Sequence, residues 1–229
     1  MIEFNSVQVK YEDGDVALDN VSLKIEDGEF VFIVGHSGAG KTTLTKVLLG
    51  EKKITSGSLK VNGYSVRNLS SSELPAFRRK IGVVFQDFRL IERKNVFENV
   101  ALPLRIIGNS SRDIKKKVMS LLALVGLEGK KDSYPKQLSG GEQQRVAFVR
   151  SIAANPSVII ADEPTGNVDR KLANQLFDLL EKINEKGKTV IVVTHDMEIV
   201  NKYKHRTVTI ESGKITSDTK SLNEAEVLA

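Results

Sequence analysis

"FVFIVGHSGAGKTTLTKVLLG" (residues 30–50) joins an apolar run to a glycine-rich turn and then to a helical pattern. The run is apolar at every position and does not alternate. That is the pattern of a parallel strand covered on both faces. The turn, "GHSGAGKT" (35–42), fits G-x-x-x-x-G-K-[ST] in the strand-then-helix context that gives this motif, the P-loop, its meaning. Its chemistry is phosphate binding. Around Gly35, His36, Ser37, Gly38, Ala39 and Gly40 the backbone N–H groups can curl round phosphate oxygens, and the start of the helix adds its dipole. Lys41 is then expected to reach the β- and γ-phosphates of a nucleotide, and the Thr42 hydroxyl to bind Mg2+, with Thr43 next in the first helical turn.

Two more runs share this character: "VIIADE" (158–163) and "TVIVVTH" (189–195). Between them lie helical patterns such as "KLANQLFDLLEKINEKG" (171–187), which closes on a glycine stop. Strand–helix alternation implies a layered α/β fold. Ligands of parallel sheets bind beyond the carboxyl ends of the strands, so the three runs direct their polar ends at one place. Asp162 can hold Mg2+ there through water, and Glu163 can take a proton from an attacking water. Spacing alone does not divide these roles between the two acids. His195 can contact a γ-phosphate or position the water; a lone histidine is more often structural, but the shared strand-end position favours function. Gln86 follows the apolar run "IGVVF" (81–85) and can coordinate Mg2+ or water, or else is a surface amide. Tyr11, ahead of "EDGDVAL" (12–18), can stack on an adenine or be an ordinary core or surface tyrosine.

The flanks read differently. "IEFNSVQVKY", "VSLKIEDGEF" and "SGSLKVNGYSV" suit antiparallel strands, with Asn62–Gly63 as a hairpin turn, and "RTVTIESGKITSD" (206–218) suits a second hairpin. Residues 88–156 contain no convincing strand and carry helical segments near 96–106, 111–125 and 140–154. We expect one domain, 1–229, in which 1–87 and 157–229 form the core and 88–156 an inserted helical subdomain. "SLNEAEVLA" (221–229) opens with a Ser-x-x-Glu pattern that suits a short terminal helix.

"LSGGEQQR" (138–145) poses a local conflict. Ser139 and Glu142 form a capping-box pattern, yet Gly140 and Gly141 stand in the first turn, where each costs about 1 kcal/mol relative to alanine. The expense makes sense if something must approach the backbone closely. A glycine-lined helix start is an anion site, so this is a second phosphate-binding element.

Composition removes other classes. Hydrophobic residues make up 40% of the 229, enough for a packed core, and there is no cysteine for disulfide or thiol chemistry. No apolar run approaches the roughly 18–20 residues needed to span a bilayer, and the first residues lack a signal-peptide pattern, so a cytoplasmic location is expected. The net charge of +5 is weak evidence for any polyanionic partner, and "RRK" (78–80) and "KKK" (115–117) are short enough to be solvated helix faces.

Taken in order, "GHSGAGKT", Gln86, "LSGGEQQR", "VIIADEPTGNVD" (158–169) and His195 resemble the ATP-binding subunit of ABC transporters over nearly the whole chain. The resemblance implies a P-loop ABC ATPase with a RecA-like parallel-sheet core, an N-terminal antiparallel β subdomain and an inserted α-helical subdomain. It implies ATP and Mg2+ as ligands, sandwiched in an ATP-dependent, head-to-tail homodimer. Ser139, Gly140, Gly141 and Glu142 of one chain would then face the γ-phosphate held by the other. It further implies adenine stacking by Tyr11, a dimer-facing D-loop at Gly166, Asn167 and Asp169, and Mg2+ held by Thr42, Gln86 and Asp162. Glu163 becomes the catalytic base and His195 the switch histidine, with Gln86 and Lys41 completing the catalytic set. "LPAFRRKIGVVFQDFRLI" (74–91), "VFENVALPLRIIG" (96–108) and "ADEPTGN" (161–167) are similar to the cell-division branch of that family, which implies peripheral attachment at the cytoplasmic face of the membrane through a permease-like membrane protein. Phe88, Leu90, Ile91 and Phe97 either meet that partner or pack their own subdomain. Lipoprotein-release and efflux ATPases share the motifs. A nucleic-acid partner is not expected, and motifs alone do not exclude a nucleotide-binding scaffold with negligible turnover.

Overall fold

The structure, a computed structural model, describes residues 1–166 and 168–220. Asn167 and the expected terminal helix at 221–229 lie outside the described residues. The central sheet has six strands in the order β10 (Lys214–Asp218), β9 (Arg206–Glu211), β3 (Phe30–Val34), β8 (Thr189–Thr194), β7 (Val158–Asp162), β6 (Ile81–Val84). The pairs from β9 to β6 are parallel, and β10 returns antiparallel along β9. The non-alternating strands are buried on both faces, as their composition requires: every residue of β3 and of β8 is buried.

One face packs against the helical layer. Val146 and Phe148 of α5 (Gly140–Ile152) and Leu176 and Phe177 of α6 (Arg170–Asn184) share a core with Phe32, Ile159 and Val192 of the sheet. The other face carries Leu44 and Val47 of α1 (Lys41–Leu48) and a second sheet, antiparallel, ordered β2 (Val16–Ile25), β1 (Ile2–Lys10), β4 (Ser56–Val61), β5 (Tyr64–Ser65). Asn62 and Gly63 both adopt the left-handed conformation in the β4–β5 turn, as an Asn-Gly hairpin requires.

The short α2 (Leu74–Arg78) precedes β6, and between β6 and β7 the described chain is helical, with α3 (Val96–Ile106), α4 (Ser111–Leu124) and α5. Asn95 and Ser110 cap α3 and α4 by accepting from backbone N–H groups three residues on. Buried Asn99 closes the preceding loop: its side chain accepts from Ile91 N and donates to the Lys94 carbonyl. The parallel strands therefore run toward a single end, where their carboxyl-terminal loops gather.

Candidate functional site

β3 leads into Gly35, and α1 begins at Lys41. A side-chain carbon at Gly35 would collide with the Ile210 carbonyl oxygen, and one at Gly40 would lie 2.5 Å from that of Ala17. Both glycines are thus required by the chain's own packing. Gly38, at φ +80° with nothing nearby, is required only by its left-handed turn. Gly40 is the N-cap of α1 and supplies no capping side chain, which leaves the first N–H groups of the helix for an outside acceptor. Lys41 is 9% exposed, and its Nζ donates to the Gly35 carbonyl at 2.5 Å and the His36 carbonyl at 3.0 Å. His36 itself turns to the Ser37 carbonyl, 2.8 Å from Nδ1.

At the ends of β7 and β8 the acids and the histidine meet. His195 Nδ1–H donates to Glu163 Oε1 at 2.8 Å. The Glu163 N–H donates to Val193 O of β8 at 2.8 Å, holding the residue at φ +46°. A left-handed non-glycine residue is costly and persists only where its surroundings impose it. Burial, and after it the neighbouring Glu163 carboxylate, push Asp162 up to about 6. The two adjacent, half-buried acids outweigh the opposing charges of Lys41 and Arg89, and a hard cation would offset the remainder.

A cleft of about 540 Å³ collects these groups: Ser37 to Thr43 of the P-loop turn, Tyr11, Gln86, Asp162, Glu163 and His195. Gly35 and His36, also expected at the nucleotide, are not among its lining residues, and His36 is exposed. Tyr11 is anchored by its hydroxyl, 3.0 Å from Thr43 Oγ1, and Lys52 Nζ lies 4.1 Å from its ring centroid. The donor set suits a magnesium nucleotide. Thr42, Gln86 and Asp162 offer one hydroxyl, one amide oxygen and one carboxylate, and Mg2+ usually adds substrate phosphate oxygens and water to so few protein ligands.

The "LSGG" turn does not line this cleft. The capping box is formed: Ser139 Oγ accepts from Glu142 N at 3.3 Å, and Glu142 Oε2 accepts from Ser139 N at 2.8 Å. Gly141 has a neighbour that the sequence pattern does not show: a side-chain carbon there would sit 2.8 Å from Leu172 Cδ2 on α6, so the end of the Leu172 side chain would have to shift. Asp169 also does a local job, capping α6 by accepting from Leu172 N at 2.9 Å. Gly166 is exposed and lies beside the Gln86 amide.

Sequence patterns did not reveal three residues that organise the site. Buried Gln144 donates from Nε2 to the Pro164 carbonyl at 2.7 Å, tying α5 to the turn after Glu163. Lys52 backs Tyr11. Arg150 grips the turn after Gln86.

The ABC transporter family model matches residues 18–166. The cell division ATP-binding protein FtsE of Bacillus subtilis is 49% identical over 218 residues, spanning 95% of this chain and 96% of that one. FtsE of Streptococcus pneumoniae strain D39 is 47% identical over 218 residues, spanning 95% of each. Among solved structures, the dimeric ATP-binding cassette MJ0796 bound to ADP and Pi superposes with a TM-score of 0.89 at 38% identity, covering 95% of this chain and 97% of that one. A match of this extent, carried by the P-loop, the paired acids and the "LSGGEQQR" helix, identifies the chain as a member of the ABC transporter family.

Proposed function

We propose that this chain is the ATP-hydrolysing subunit of a membrane complex acting in bacterial cell division. It binds ATP with Mg2+ and cleaves it to ADP and phosphate. The observation that carries the residue roles is the convergence of the P-loop, Gln86, Asp162, Glu163 and His195 on one cleft, with His195 bonded to Glu163.

Lys41 and the N–H groups of residues 37–42 hold the β- and γ-phosphates, and Tyr11 stacks on the base. Glu163 accepts the proton of the attacking water, with His195 fixing the carboxylate on its other side. Thr42, Gln86 and Asp162 would hold Mg2+, which would supply positive charge against that developing on the phosphates. Ser139, Gly140, Gly141 and Glu142 serve the nucleotide of a second copy, since their capping needs are met locally and they lie off the chain's own cleft. Gly166, Asn167 and Asp169 belong to the same dimer contact. Residues 88–156 form the helical subdomain and 1–87 with 157–229 the core.

Among the described residues no helix is long and apolar enough to cross a membrane. A permease-like, FtsX-like protein would supply the membrane part and hold the chain at the cytoplasmic face. Its contact is an apolar groove of about 580 Å³ lined by Leu74, Phe85, Ile91, Pro103 and Ile106 with Arg89 at its edge. Leu90 and Phe97 are half-buried against the helical core and serve packing instead. Lipoprotein release and efflux are the less favoured alternatives. Trapping Glu163→Gln with ATP and Mg2+ in solubilised membranes of its own cell tests this. Co-purification of a four-helix membrane protein with one large extracellular loop is expected; a transport permease in its place would overturn the cell-division role. Arg89→Glu should weaken that capture and leave ATP binding unchanged.

A further inference from the structure

The helix that begins at the "LSGG" glycines ends on the loop that carries Gln86. Arg150, in the last turn of α5, donates from Nη1 to the Arg89 carbonyl at 2.6 Å and from Nη2 to the Phe88 carbonyl at 2.7 Å. Those two residues are consecutive, neither is glycine, and both are left-handed, at φ +58° for Phe88 and +45° for Arg89. Two such residues in a row persist only when the surroundings over-determine them. The planar guanidinium fork supplies that constraint, because its fixed donors match two neighbouring carbonyls at once. The side chain is half-buried, and burial lowers its pKa from the ordinary value. Its bonds run to backbone carbonyls of this turn, so its charge is committed to the loop.

The same helix end also meets the strand on the other side of Gln86. Gly82 of β6 lies so close to α5 that a side-chain carbon there would collide with the Ser151 carbonyl oxygen. The last turn of α5 therefore grips both β6, which leads into Gln86, and the turn that follows it.

We propose that Arg150 is the positioning residue for Gln86: it locks the Phe88–Arg89 turn, holds Gln86 at the nucleotide cleft and ties that cleft rigidly to the Ser139–Gly141 turn at the far end of α5. Partner docking in the groove beside Arg89 and Arg150 then acts on the same latch. The proposal rests on the role given to Gln86 above.

The test is steady-state ATP hydrolysis by the full chain across ATP and Mg2+ concentrations, for Arg150→Ala, Arg150→Met, Arg150→Lys, Gln86→Ala and the Arg150→Ala/Gln86→Ala pair. Arg150→Ala should lower kcat by roughly 10²-fold, the scale of a misplaced catalytic group, with the KM for ATP little changed because Tyr11 and the P-loop are untouched. Arg150→Lys should restore part of the loss, and the double variant should be no slower than Gln86→Ala alone. Where Arg150→Ala fails to fold, Arg150→Met keeps the apolar stem, removes both donors and should show the same loss of kcat. Wild-type kcat in the Met variant, a rise in KM alone, or independent, multiplying losses in the double variant would overturn the latch while leaving Gln86 its role. Wild-type turnover in Gln86→Ala would remove that role, and the latch with it.

Discussion

Two glycine-bearing turns in this chain open helices, and they are finished to different degrees. In the P-loop, Gly35 and Gly40 are pressed against neighbouring carbonyls, Lys41 is held by its own loop, and most of the turn faces a cleft completed by the chain's own Tyr11, Gln86, Asp162, Glu163 and His195. In the turn at Ser139–Glu142, the capping box satisfies the helix start and Leu172 lies beside Gly141, yet the turn does not line the cleft that holds Tyr11, Gln86, Asp162, Glu163 and His195. Glycine content therefore does not distinguish a phosphate site from a packing solution. What a turn faces distinguishes them, and one of these two faces outward. On the role proposed above for the second turn, a single chain holds one half-site and contributes part of another.

The largest expected effect tests the completed half. Glu163→Gln removes the proton acceptor while keeping the shape beside His195, so turnover should fall by about 10²–10⁴-fold, with nucleotide titration unchanged. Retained turnover would mean that the Glu163–His195 pair is structural and that the P-loop cleft lacks its chemistry.

The next effect tests the unfinished half. Gly140→Asp puts an acid in the first turn of α5, where the helix dipole favours it by about 0.3–1 kcal/mol, so thermal stability should hold or rise. Hydrolysis should nevertheless fall, because the acid would confront the phosphates of a second copy. Mixing Gly140→Asp chains with Lys41→Ala chains should then restore turnover that neither has alone, since one composite site of each mixed pair is intact. A mixture as inactive as its components would confine the "LSGG" turn to a local role and dissolve the contrast.

A smaller, purely structural contrast lies within the P-loop. Gly40→Ala forces a carbon to 2.5 Å from the Ala17 carbonyl at φ +108° and should cost about 1–3 kcal/mol of crowding in urea unfolding on top of the left-handed penalty. Gly38→Ala meets nothing and bears only the left-handed penalty of about 1–2 kcal/mol. Equal losses would show that steric crowding is not what selects Gly40.

Most of the fold was legible because periodicity reports burial: the non-alternating runs at 30–34, 158–162 and 189–194 are the central strands, and the helices at 96–106, 111–124 and 140–152 fall where the pattern put them. Strand β6 read only as an apolar run ahead of Gln86, since four residues carry little periodic signal. The convergence of strand ends was legible from the parallel-sheet rule. What stayed hidden depends on contacts between distant residues. Nothing near Arg150 announces a bond to carbonyls some sixty positions earlier, Leu172 gives no sign of crowding Gly141, and Lys52 gives none of lying over Tyr11. Left-handed Glu163, Phe88 and Arg89 are likewise invisible, because the residues are not the types that favour that conformation.

The smallest effect separates the two jobs of Ser139. Its hydroxyl accepts from Glu142 N, and its own N–H donates to Glu142 Oε2. Ser139→Ala should cost about 1 kcal/mol of stability at neutral pH, the usual worth of an N-cap. The returning half of the box is pH-dependent. The Ser139 backbone N–H holds the Glu142 carboxyl below its ordinary value of 4.5, so its contribution is present above that range and is lost as the pH falls through the folded value. Glu142→Gln keeps an acceptor for the N–H and removes the titration, so its unfolding midpoint should vary less than wild type between pH 5 and pH 3. If Ser139→Ala loses hydrolysis far beyond what a stability loss of that size explains, the hydroxyl acts on nucleotide as well as on the helix. If activity and stability fall together, Ser139 is a cap alone, and the phosphate-facing role passes to the backbone of Gly140 and Gly141.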